Sequence, residues 1–110
     1  MNQTDLLSFS GGTAGLGRTT MLLRENGLRT LLLHLKAGEQ IPEHQTRGAI
    51  TVHCLKGEAI FQSGDERVQL RPALLFSLAP GTPHSVVAQQ DTLLLVTISE
   101  QIQSEQIQAS

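Results

Sequence analysis

Turn-forming residues cut the chain into short apolar runs at a near-regular rhythm, and that rhythm limits what it can fold into. The breaks are Glu25-Asn26-Gly27, Lys36-Ala37-Gly38, Lys56-Gly57, Ser63-Gly64-Asp65, Arg71-Pro72 and Ala79-Pro80-Gly81. Between them lie runs rich in Leu, Val, Ile and Thr, at 18–24, 28–36, 49–55, 58–62, 66–71, 74–78, 84–89 and 92–98. Turn signals about 8 to 12 residues apart are the mark of an all-β sandwich or barrel. No stretch of the main body repeats apolar residues at the helical period of about 3.6, so crossover helices are not expected. The expectation is one antiparallel all-β domain over 18–98, with a glycine-rich arm at 1–17 and a polar tail at 99–110.

Two of these runs do not alternate. Leu31-Leu32-Leu33 and Leu93-Leu94-Leu95-Val96 are apolar on both faces, whereas a sheet with one wet face alternates. One face meets the interior. The other needs cover that a chain of 110 residues can hardly supply, so a second copy is the natural source and a homodimer is expected.

Composition removes whole classes of function. The net charge is −2, and the eight Lys and Arg are scattered, so no basic stripe meets a phosphate backbone and nucleic acid is not an expected partner. A single Cys forbids an intrachain disulfide and fits a reducing cytoplasm. No basic n-region leads MNQTDLLSFSGG, and no apolar run approaches the roughly 20 residues of a membrane span. A soluble cytoplasmic protein is expected.

Two terminal features invite other readings. Gly12, Gly17, Arg18 and Thr19 imitate a phosphate-binding loop with Arg for Lys. That mechanism needs a long helix after the loop, and TTMLLRENGLRTLLLHL, broken by Gly27, reads as strands. A flexible loop is the better reading. At the other end SEQIQ occurs twice, at 99–103 and 104–108; isoleucines five apart fit neither a helical stripe nor strand alternation, so this is read as a polar extension.

The stretches Gly38–Gly57 and Ala73–Ala88 resemble the two signature motifs of the cupin superfamily. The first motif runs Gly, five residues, His, one residue, His, three or four residues, Glu, six residues, Gly. Here the frame is Gly38, His44, Thr46, Ile50 and Gly57, with every spacing kept. The second runs Gly, five residues, Pro, one residue, Gly, two residues, His, three residues, Asn; the matching positions are Ala73, Ala79, Gly81, His84 and Ala88. The resemblance covers residues 28 to 98 and implies an antiparallel double-stranded β-helix, the small jelly-roll barrel of the family, as a cupin domain over 18–98.

It also implies a place for a metal. Family members hold a divalent ion with three His and a Glu. His44 and His84 match two of those ligands, while Thr46 stands for the second His and Ile50 for the Glu. Both histidines are expected inside the barrel, with Thr46 and Ile50 beside them in the cavity. Two imidazoles alone would hold zinc, iron, nickel or manganese weakly, because catalytic sites usually have three protein ligands. Two nearby residues are candidate substitutes. In an unbroken strand Ile50, Val52 and Cys54 share one face and His53 takes the other, so Cys54 points inward and His53 outward unless a bulge swaps them. His34 is read as a packed or interface histidine and Glu43 as solvated.

Two functions compete. One is a small cupin that binds a divalent metal weakly, or a small organic ligand, in the barrel cavity. The alternative is a metal-dependent enzyme, a quercetinase-like dioxygenase or an isomerase, for which the missing carboxylate is a serious lack. The sugar-epimerase branch relies on a Tyr acid, and this chain has no Tyr or Trp and three Phe. Binding leads, and no residue is assigned a catalytic role.

Overall fold

The computed structural model describes residues 1–6 and 18–99. Nine strands form among them: β1 (Thr19–Glu25), β2 (Leu28–Leu35), β3 (Gln40–His44), β4 (Ile50–Lys56), β5 (Ala59–Ser63), β6 (Glu66–Leu70), β7 (Leu75–Leu78), β8 (His84–Ala88) and β9 (Thr92–Ser99). All pair antiparallel, in a five-stranded sheet of order β1-β2-β9-β4-β7 and a four-stranded sheet of order β3-β8-β5-β6. The all-β jelly-roll expectation is met, and eight strands fall within a residue of the runs expected at each end. The ninth, β3, carries Pro42 in the sequence Gln-Ile-Pro-Glu-His and does not alternate. It sits on the edge of its sheet, where a residue without an N–H is tolerated.

The two inner faces meet in one core. Ile50, Val52 and Cys54 of β4, Leu94, Val96 and Ile98 of β9, and Ala59, Phe61, Leu70, Val86 and Ala88 of the smaller sheet are all buried in it. Phe61 and Phe76 close the gap between the sheets edge-to-face, ring centroids 4.7 Å apart, a favoured aromatic geometry.

The outer face of the larger sheet corrects one premise. Register pairs Leu32 with Leu95 and His34 with Leu93, on the face opposite the cavity-lining Leu31, Leu33, Leu94 and Val96. Leu32 and Leu93 are nevertheless 1% and 2% exposed in the single chain. A partner is therefore not needed to cover them. Beside them Thr30 and Thr97 share a hydroxyl–hydroxyl hydrogen bond of 3.3 Å.

Backbone geometry explains why the motif frame holds. Gly38, Gly57 and Gly81 have φ of 87°, 90° and 77°, and Ala73, at another glycine position of the frame, has φ of 77°. Gly57 is doubly constrained, since a Cβ there would collide with the Asp91 carbonyl oxygen. The close approach of the β4–β5 turn to the start of β9 therefore excludes a side chain at this position.

The phosphate-loop stretch from Gly12 to Gly17, residues 7–17 of the proposed arm, and residues 100–110 of the SEQIQ tail lie outside the described residues. Within residues 1–6, the Asn2 side-chain amide donates to the Arg24 carbonyl at 3.2 Å. No helix among the described residues is long and apolar enough to cross a membrane.

Candidate functional site

His44 and His84 are brought together by the pairing of β3 with β8, in which they face one another directly. The register slips between Ile41 and His44, so the end of β3 is re-aimed and both side chains reach the same cavity. The ring centroids are 4.2 Å apart at 63°. Phe61 lies nearly parallel to the His84 ring on the next strand, 5.4 Å away at 14°.

Their surroundings differ. His84 is 4% exposed, whereas His44 stands at the mouth of the barrel and is exposed. The expectation of two interior histidines therefore holds for one ring. The other belongs to an edge strand whose turn faces solvent, although it still lines the cavity. Burial holds the His84 pKa below the ordinary histidine value, a hydrogen bond to Thr82 opposes this, and the nearby His44 charge adds to the lowering.

Both rings are oriented by backbone. His44 Nδ1 lies 3.0 Å from the Pro42 carbonyl oxygen, and His84 Nδ1 lies 2.8 Å from that of Thr82. A carbonyl can only accept, so Nδ1 carries the proton in each ring, and the neutral tautomer leaves the Nε2 lone pair free. Backbone anchoring of one nitrogen is also the arrangement that prepares the other to bind a metal or accept a hydrogen bond.

The cavity is about 160 Å³ and is lined by Leu31, Leu33, Ile41, Thr46, Ile50, Val52, Phe61, Val86, Leu94, Val96 and Ile98 besides the two histidines and Thr19. Thr46 and Ile50 thus lie beside the pair. The Thr46 hydroxyl is engaged by the Gly48 carbonyl at 3.1 Å. Phe61 and Thr19 were not legible as site residues. Only the pairing of β5 with β8, which a sequence does not announce, puts Phe61 against His84.

The remaining candidates lie elsewhere. The register of β4 is unbroken from Ile50 to Cys54 and shifts only afterwards, so Cys54 points inward and His53 outward. Cys54 is fully buried in the core but not among the cavity-lining residues. Its Sγ lies 3.6 Å from the Lys56 carbonyl oxygen, and burial raises its pKa, which keeps it a thiol. His53, half-buried, faces away from the cavity between Leu95 and Leu75. His34 is also on the outer face, 5% exposed, with Nε2 2.7 Å from Asp91 Oδ1.

The family's four-ligand metal centre does not fit these residues. Among the described residues no group of three or more His, Cys, Asp or Glu is placed to hold an ion. The third and fourth ligand positions are occupied by a hydroxyl already in use and an alkyl side chain.

A two-sheet antiparallel barrel with a backbone-anchored histidine pair lining its cavity defines the class: a small jelly-roll barrel. A model of the cupin domain matches residues 31–99, most of the chain, and the protein belongs to the cupin family. No curated protein matches the chain in sequence. Among solved structures, TT1209 from Thermus thermophilus is similar with a TM-score of 0.74 and 23% identity, over 91% of this chain and 98% of that one. An RmlC-like cupin from Desulfovibrio desulfuricans gives a TM-score of 0.68 and 26% identity, over 74% of this chain and 80% of that one. KdgF from a Halomonas species gives 0.69 and 19%, over 74% and 78%.

Proposed function

We propose that this cupin domain is a binding protein whose barrel cavity takes a small organic molecule at His44 and His84, and that a divalent metal is held there only weakly. The observation that carries the reading is the common anchoring of both Nδ1 atoms to carbonyls, at 3.0 and 2.8 Å, beside an apolar cavity. Two neutral nitrogen ligands without an anionic partner favour loose, chelator-sensitive binding of zinc, iron, nickel or manganese. The dioxygenase or isomerase alternative would need a carboxylate ligand, and Ile50 occupies its place in the motif frame.

Calorimetric titration with zinc and nickel chloride tests the metal half. Weak binding, abolished in His84→Ala and reversed by EDTA, is expected. Tight binding that survives the chelator would mean further ligands and would favour the enzyme.

The protein is also proposed to self-associate through the outer face of the larger sheet. There Leu95, His53 and Leu75 form a row across β9, β4 and β7, and Leu75 is 62% exposed.

A further inference from the structure

We infer that the preferred occupant of the cavity is an uncharged, apolar molecule of single-ring size bearing one hydroxyl, a simple phenol, with the hydroxyl donating to the histidine pair. This rests on the binding reading above and narrows it.

Three observations set the class. The first is size. A cavity of about 160 Å³ is close to the engineered cavity of roughly 150 Å³ that accepts benzene, and well below the roughly 300 Å³ at which pockets for drug-sized ligands begin. A molecule of flavonol size does not fit, which also argues against a quercetinase-like substrate.

The second is charge. Among the described residues the lining holds no Asp, Glu, Lys or Arg. An anion or an ammonium group would leave water for an aliphatic wall without a counter-charge, which is costly.

The third is polarity. Because Nδ1 of each ring is committed to a carbonyl, the pair in its Nδ1–H tautomers presents two Nε2 acceptors. A carboxylate, itself only an acceptor, meets lone pairs, whereas a hydroxyl meets a partner. The rest of such a ligand would lie against Leu33, Val52, Phe61 and Val96.

The test uses the whole chain at pH 7.5, with binding read by the side-chain 1H–15N resonances of His44 and His84 and by calorimetry. The probes are p-cresol, toluene, benzoate and a flavonol. We expect p-cresol to bind about five- to tenfold more tightly than toluene, the ratio for one added hydrogen bond. Benzoate and the flavonol are expected to leave both rings unchanged. In His84→Phe the p-cresol advantage should vanish; should that variant not fold, His44→Phe at the exposed rim provides the same comparison. If benzoate or the flavonol binds as well as p-cresol, or if toluene equals it, the assignment of ligand class is wrong while the cavity remains a binding site. If no probe and no zinc perturbs either ring, the binding reading falls with it.

Discussion

At the scale of single residues, His84 is the group whose chemistry the fold changes most. It is buried against Phe61 and beside His44, and its pKa is lowered first by desolvation. In the unfolded chain the same ring takes up a proton near its ordinary value of about 6.5. The folded state thus binds fewer protons between the lowered pKa and that value. The stabilising contribution is complete above about pH 6.5 and is lost as the pH falls through the folded pKa. Denaturant midpoints measured between pH 7.5 and 5 should fall with pH, and His84→Leu should flatten that slope. An unchanged slope in the variant would show that the ring titrates as freely in the fold as outside it.

At the scale of elements, the turn between β6 and β7 shows why a degenerate motif can still specify the fold. Leu74 N–H donates to the Arg71 carbonyl at 3.0 Å, and Pro72 and Ala73 are the central residues. Pro followed by positive φ is a type II turn, which favours Gly at the second central position. Ala73 accepts φ of 77° at a cost of about 1–2 kcal/mol. Glycine would remove that strain and return about 0.4–1 kcal/mol through greater freedom of the unfolded chain. Ala73→Gly should therefore stabilise the protein by about 0.5–1 kcal/mol in urea unfolding; a loss of stability would mean that the turn holds Ala73 without strain. The same logic explains what was legible. Strands and turns were readable because turn chemistry and apolar runs are local properties, and the motif frame placed His44 opposite His84 because its glycines fix where the chain reverses. β3 was hidden because an edge strand with Pro42 needs no alternation. The exposure of His44 and the ring of Phe61 over His84 follow from register, which no single stretch of sequence carries. The Leu runs are two-faced, yet Leu32 and Leu93 need no partner to cover them, because they are buried within one chain.

At the scale of the whole molecule, the proposed self-association rests on the row of Leu95, His53 and Leu75. Light scattering at micromolar concentration should give a dimer, and Leu75→Lys should shift it to monomer, since a charge buried in an apolar contact is left unpaired. A stable monomer for the unchanged chain would remove the proposal. The central claim concerns the cavity, where two imidazoles from neighbouring strands are proposed to act as one site. Long-range 1H–15N spectra of the histidine rings during a zinc titration test it most directly. The account predicts Nδ1–H tautomers for His44 and His84 before addition, then joint shifts of both Nε2 signals with one midpoint, reversed by EDTA. Rings that respond with separate midpoints, or a Nε2–H tautomer in either ring, would contradict it.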